Sequence, residues 1–391
     1  MKHFKMNDRM NALPEQYFAK LVQNINNLKK QGNDVILFGQ GNPDQPTPSH
    51  IVKSLKDASD NPKFHKYPPF RGYPFLKEAI AEFYEREYNV KIDPEREVCI
   101  LFGGKGGLVE ISQCFLNPGD VALVPDPGYP DYWSGVALAG GKMEMMPLKE
   151  ENDFLPNYNS ISREALEKAK LLFLNYPNNP TGSVASKEFF NETVTFAKKE
   201  DVCVVHDFAY GAIGFDGKKP TSFLEVEGAK DVGIEIYTLS KTYNMAGWRV
   251  GFAVGNPDVI EALNLYQDHM YVSLFGGIQQ AAATALLGPQ NCVEDLVSLY
   301  ETRRNTLING LKSIGWNVTA PEGSFFAWLA CPNGMSSDDF ATKLLNEAHV
   351  AVAPGRGFGE TGEGYVRVGL LEDEKRILEA VERIDKLKLF K

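Results

Sequence analysis

The chain is poor in the residues that mark a metal-bound or disulfide-braced protein. Its five cysteines (Cys99, Cys114, Cys203, Cys292 and Cys331) are widely spaced, with no C-x-x-C pair. Most sit in apolar stretches, so reduced, buried thiols are expected. The six histidines show neither H-x-x-x-H nor H-E-x-x-H spacing, and no metal site is expected. No apolar run approaches membrane-spanning length, and Met1-Lys2-His3-Phe4-Lys5 is not followed by a signal-peptide core. The cytoplasm is therefore the expected compartment. Basic residues are outnumbered, 41 Lys and Arg against 51 Asp and Glu, for a formal charge of −10. That balance argues against a general nucleic-acid or anionic-membrane surface, although one pocket can still be positive. No G-x-x-x-x-G-K-[ST] occurs, the glycine-rich turn at 103–107 lacks the G-x-G-x-x-G register of a dinucleotide fold, and no repeat is visible.

What the 391 residues do carry is an alternation of apolar strands and helices. Strands are expected at 98–102, 121–124, 171–174, 202–205, 233–237 and 248–254, and helices at 50–58, 75–88 and 108–115. Such alternation implies an α/β fold with a mostly parallel central sheet covered by helices on both faces. Beyond about residue 285 the pattern becomes α+β. A long helix (293–314), strands at 316–319, 324–329, 350–353 and 365–370, a helix over 337–348 and a final amphipathic helix are expected. The predicted division is a large unit over 46–285 and a small unit built from 1–45 and 286–391. The first of these segments contributes a helix over Pro14–Lys30 and a strand over Val35–Gly39.

Several loops fall at strand ends, where such sheets bind ligands. Lys241 follows the strand ending at Tyr237, with Thr238, Ser240 and Arg249 nearby. Withdrawn from water, a lysine there has a lowered pKa and becomes a nucleophilic amine, while the hydroxyls and arginine suit a phosphate. An ordinary solvated loop is the plainer alternative. Gly103-Gly104-Lys105-Gly106-Gly107 precedes a helix and offers free N–H groups to an anion, or forms a simple tight turn. Asp207 ends a strand and needs a cation, either an arginine or a protonated pyridine nitrogen, unless it caps a helix. Tyr210 lies three residues on. Tyr132 suits either a flat ligand or the core, and Asn179 either a ring oxygen or a turn.

In this order, the pieces Gly41-Asn42-Pro43-Asp44, the glycine-rich turn around Lys105, Tyr132, Asn179-Pro180-Thr181-Gly182, Asp207-Phe208-Ala209-Tyr210, Thr238 to Lys241, Gly247-Trp248-Arg249-Val250-Gly251 and Gly364-Tyr365-Val366-Arg367 closely resemble the class I/II aminotransferases. The resemblance covers nearly the whole chain. It implies fold type I of the pyridoxal 5'-phosphate (PLP) enzymes, with Lys241 holding the cofactor as a Schiff base and moving the substrate proton. It implies Asp207 on the pyridine nitrogen, Tyr210 and Asn179 on the ring's phenolic oxygen, and Tyr132 stacked on the ring. The phosphate falls to Gly104, Lys105, Thr238, Ser240 and Arg249, and the substrate to Arg367, Gly41 and Asn179, with Arg367 on its α-carboxylate. Two departures stand out: many members have a hydroxyl residue where Gly104 or Lys105 stands, and Ser in place of Thr238.

Tyr67 resembles the tyrosine that the family lends to the neighbouring subunit's phosphate site, which implies a homodimer with shared sites. Within the family the chain is most similar to the bacterial branch of diaminopimelate-type and methionine-salvage enzymes. The expected reaction is amination of 4-methylthio-2-oxobutanoate to methionine with glutamine as donor, with Tyr17, Phe18 and Phe70 as candidate pocket walls. Aminotransfer to LL-diaminopimelate or its N-acetyl form, and C–S lyase chemistry, are the alternatives.

Overall fold

Twelve strands are formed in the computed structural model, which describes residues 3–14 and 17–390. Glu15 and Gln16 of the expected Pro14–Lys30 helix, and Met1 and Lys2 of the N-terminal reading, lie outside the described residues. In chain order the strands are β1 (Ile36–Leu37), β2 (Val98–Leu101), β3 (Val121–Asp126), β4 (Lys142–Pro147), β5 (Ala169–Leu174), β6 (Cys203–Asp207), β7 (Gly233–Thr238), β8 (Gly251–Gly255), β9 (Phe326–Ala330), β10 (Val350–Ala351), β11 (Ala353–Pro354) and β12 (Tyr365–Gly369).

Seven of them make the central sheet, in the order β2-β8-β7-β6-β5-β3-β4. All run parallel except β8, which pairs antiparallel with both β2 and β7. The crossovers between parallel strands contain helices, whereas the short connection from β7 to β8 turns the chain back on itself. Residues of β2, β3, β7 and β8 are buried on both faces, which is why they read as largely apolar runs, with Glu235 of β7 an exception bonded to His206, Tyr84 and Ser222. Helix Lys187–Glu200 shows how the faces are covered. Ser186 caps it by accepting from the Phe189 N–H at 3.3 Å, Phe189, Phe190, Thr193, Val194 and Ala197 face inward, and Asp201 ends it in the left-handed region. Removing that cap should cost about 1 kcal/mol.

A second core gathers the antiparallel sheet β11-β12-β9, the long helix Asn291–Ser313 and the last helix Glu374–Asp385, with Ile36 and Phe38 from the N-terminal region packed among them. Three expectations are corrected here. Residues 316–319 form no strand: Trp316 is an anchor, donating its indole N–H to Ala330 at 2.9 Å and stacking on Phe390. The single strand expected over 350–353 is split, its first half pairing with β1 and its second with β12. The helix from Ser337 keeps α geometry only to Lys343 and widens into a π turn over Leu344–Ala348.

Between the two cores runs the extended segment 39–48. It is pinned by Asp44, whose carboxylate takes both ends of the buried Arg303 guanidinium at 3.0 and 2.9 Å. Breaking such a pair leaves an uncompensated charge and costs about 3–5 kcal/mol. This anchor sets Gly41 above the carboxyl ends of the strands. Among the described residues no helix is long and apolar enough to cross a membrane.

Candidate active site

The loops at the carboxyl ends of β2, β3, β5, β6 and β7 surround a cavity of about 660 Å³, closed on the other side by β9, β12 and the segment around Tyr17 and Phe18. Lys241 enters it from the single helical turn Leu239–Thr242, which the Thr238 hydroxyl caps by accepting from the Ser240 N–H. Its Nζ donates to the Gly41 carbonyl at 2.8 Å. Burial lowers the Lys241 pKa to about 8, helped by the positive charge of Arg367 and opposed by Asp207. About a tenth is thus free amine at pH 7, far more than for an ordinary lysine, as a nucleophile or proton carrier requires.

Asp207 is the last residue of β6 and is buried. Its Oδ2 accepts from the Tyr132 hydroxyl at 2.8 Å. Desolvation raises its pKa to about 6 against that bond and the nearby His206 and Lys241, so it stays mainly ionised at neutral pH. A buried carboxylate of this kind is suited to a protonated ring nitrogen.

Tyr132 is placed differently from expectation. Its ring is fully buried, stacked on Phe173 at 5.1 Å, and it does not line the cavity. The helix that follows the loop begins at Asp131, one residue before Tyr132, which turns the ring under Asp207. Tyr129, Trp133 and Ser134 line the cavity instead. Tyr132 is a donor to Asp207 and presents no ring face to the cavity.

The phosphate-suited residues converge. The helix expected from Leu108 begins at Gly104, because Gly103 adopts φ 78° as its cap. The glycines also allow close packing: a Cβ on Gly107 would lie 2.5 Å from the Leu101 side chain. The strand expected from Trp248 begins only at Gly251, after a 3₁₀ turn over Ala246–Trp248 and a left-handed Arg249 at φ 56°. That conformation lays the guanidinium against Gly103, where a Cβ would meet Arg249 Nη2 at 2.6 Å. Gly104, Thr238, Ser240 and Arg249 therefore share one end of the cavity, and Lys105 lines it while pairing with Asp131 at 2.9 Å. Free N–H groups at a 12-residue helix start, two hydroxyls and a guanidinium make an anion cradle.

At the other end Arg367, on β12, donates through Nη1 to Asn179 Oδ1 at 2.8 Å and through Nη2 to the Gly39 carbonyl at 3.0 Å. Its guanidinium lies between the Phe326 and Phe358 rings at 4.0 and 4.6 Å. Burial lowers its pKa to about 10, well above neutral pH. Its Nε is buried without a partner, an orphaned donor that a carboxylate at this edge would satisfy. Asn179 is held by the Asn175 side chain, which accepts from its N–H at 2.7 Å. Tyr210 lines the cavity, its pKa raised by burial and its ring edge-on to Phe325 and Phe326. Gly41, Tyr17 and Phe18 also line it. Tyr67 and Phe70 are 89% and 57% exposed and stand outside their own chain's cavity.

A donor cradle, a nucleophilic lysine, a buried carboxylate and a half-satisfied arginine meet in one space, and comparison with known proteins agrees. The family model for aminotransferase class I and II matches residues 33–384. The chain belongs to that family. It is an α/β aminotransferase of the aspartate-aminotransferase fold. It is 64% identical to L-glutamine–4-(methylsulfanyl)-2-oxobutanoate aminotransferase of Bacillus subtilis over 99% of this chain and 97% of that protein. LL-diaminopimelate aminotransferase of Halothermothrix orenii is 46% identical over 96% of this chain and 97% of its own. Among solved structures, apo-BacF from Bacillus subtilis superposes with a TM-score of 0.95 at 50% identity, covering 100% and 99% of the two chains.

Proposed function

We propose that this aminotransferase uses PLP to move the amino group of glutamine to 4-methylthio-2-oxobutanoate, giving methionine. The observation that carries the cofactor assignment is the convergence of Lys241, Asp207 and the Gly104–Arg249 anion cradle in one cavity. When bound, PLP supplies an aldehyde carbon that accepts amines and a ring that disperses the charge left when a Cα proton departs. Lys241 is the residue to hold it and to carry the proton to and from Cα. Asp207, its charge stabilised by the Tyr132 hydroxyl, would pair with the protonated ring nitrogen. The backbone of Gly104 and Lys105, with Thr238, Ser240 and Arg249, would hold the phosphate, and Asn179 and Tyr210 would serve the ring's oxygen. Trp133 and Tyr129 are better placed than Tyr132 to flank the ring.

Arg367 takes the substrate α-carboxylate through its unpartnered Nε edge, which orients Cα–H toward Lys241. Near Arg367 the wall carries the aromatic rings of Tyr17, Phe18, Phe326 and Phe358. Of the cations in the lining, Lys241, Arg249 and Arg367 have the roles above and the Lys105 ammonium is tied to Asp131. A flexible uncharged side chain such as methylthioethyl or glutamine's fits that wall. A distal ammonium and carboxylate would be left in part unpaired. The 64% relative's reaction supports the same choice. We further infer division into a large unit (46–285) and a small unit (1–45 with 286–391), supported by the two cores, and a cytoplasmic homodimer in which exposed Tyr67 completes the neighbour's phosphate site.

Side-by-side steady-state assays test the substrate. Glutamine with 4-methylthio-2-oxobutanoate should exceed any diaminopimelate-type pair in kcat/KM by at least about tenfold, the effect of ~1.4 kcal/mol. A diaminopimelate pair that wins refutes this substrate choice within the family, and keto-acid release without an amino acceptor would reveal lyase chemistry.

A further inference from the structure

A buried acid behind the arginine site has no part in the chemistry above. Asp126 closes β3 and is 4% exposed. Its Oδ1 accepts from the Thr361 N–H at 3.1 Å; desolvation raises its pKa, and the Thr361 backbone and hydroxyl and the Glu360 N–H favour its charge against that. Two residues beyond Asp126, the Gly128 N–H donates to the Phe358 carbonyl at 2.8 Å. The end of β3 therefore grips the 358–361 turn, which belongs to the region of the second core, at two points. That turn faces the cavity. Phe358 lies under the Arg367 guanidinium and meets Phe18 at 5.2 Å. The fit is mutual, because Gly359 sits at φ 137° and a Cβ there would fall inside the Asp126 carboxylate.

We propose that Asp126 is a positioning residue for substrate binding, latching the 358–361 turn to the end of β3 so that Phe358 holds Arg367 aimed into the cavity. The inference rests on Arg367 receiving the α-carboxylate. An ionised carboxylate is an acceptor only and satisfies every donor the turn presents. An asparagine of the same shape sets its own N–H₂ against at least one of them, leaving a buried donor unmet.

The test uses the full-length, cofactor-loaded enzyme carrying Asp126→Asn, Thr361→Val or Arg367→Lys. In Asp126→Asn, hydrogen exchange over 355–365 should be about tenfold faster, and KM for every amino acid about tenfold higher with kcat within about twofold, the scale of one lost buried hydrogen bond. The cofactor's absorbance should not move. Thr361→Val, at a partly exposed position, should shift the same two quantities in the same direction by less, and it decides the matter if Asp126→Asn does not fold. Lowered thermal stability with unchanged KM, or lowered kcat alone, overturns the latch. If Arg367→Lys leaves KM unchanged, the carboxylate reading beneath it fails. If Arg367→Lys raises KM while the other two variants do not, only the latch fails.

Discussion

Replacing Arg367 by lysine keeps a positive charge and removes the planar fork. In the native site two of the three guanidinium nitrogens are already committed, to Asn179 and to Gly39. The third, Nε, is buried and free, and the plane is fixed between Phe326 and Phe358. An ammonium on a shorter reach cannot serve Asn179 and Gly39 and still present a donor to a ligand, nor does it stack as a plane between two rings. The expected loss is that of a charge-assisted hydrogen bond, ~2–3 kcal/mol, or roughly 30- to 150-fold in kcat/KM. Single-turnover amino-acid half-reactions measure it directly. The loss should be similar for glutamine, methionine and alanine, because all share the α-carboxylate, and the bound cofactor's absorbance should persist. Unchanged half-reaction kinetics would refute the assignment, and a loss confined to one amino acid would place Arg367 on the side-chain end instead.

Four further outcomes are expected. Borohydride reduction of the yellow holoenzyme followed by peptide mapping should place the pyridoxyl label on Lys241. In the apoprotein the same amine should gain acylation reactivity as pH rises through about 8, because its burial-lowered pKa deprotonates it there and not near 10.5; labelling that rises only above pH 10 contradicts this. Tyr132→Phe removes the donor that holds the Asp207 charge, so the acid limb of the pH–activity profile should move to higher pH, the Asp207 pKa rising above about 6; an unmoved limb assigns Tyr132 to packing alone. Mixing Lys241→Ala with Tyr67→Phe subunits should give heterodimers whose activity departs from the mean of the two homodimers, and strict additivity would mean that each site is built within one chain.

Sequence alone determined the local features. The alternation of apolar runs marked the parallel sheet because strands buried on both faces lose their polar positions. Lys241, Thr238, Ser240 and Arg249 were legible together because one short connection carries them all. Asp207 was legible because a carboxylate ending an apolar strand needs a partner. Tertiary structure decided what depends on orientation or on distant segments. An aromatic loop with tyrosines at 129 and 132 does not say where its helix begins, and that start decides which ring faces the cavity and which lies beneath Asp207. The Phe326–Arg367–Phe358 sandwich joins β9, β12 and a turn between them. The aromatic pair is visible in the sequence only as Phe325-Phe326 in an apolar strand and Gly357-Phe358-Gly359 in a loop. Side-chain direction in a strand changes with each residue, so a single step of register separates Phe325 from Phe326, the ring that lies against Arg367. Only the assembled fold sets that register.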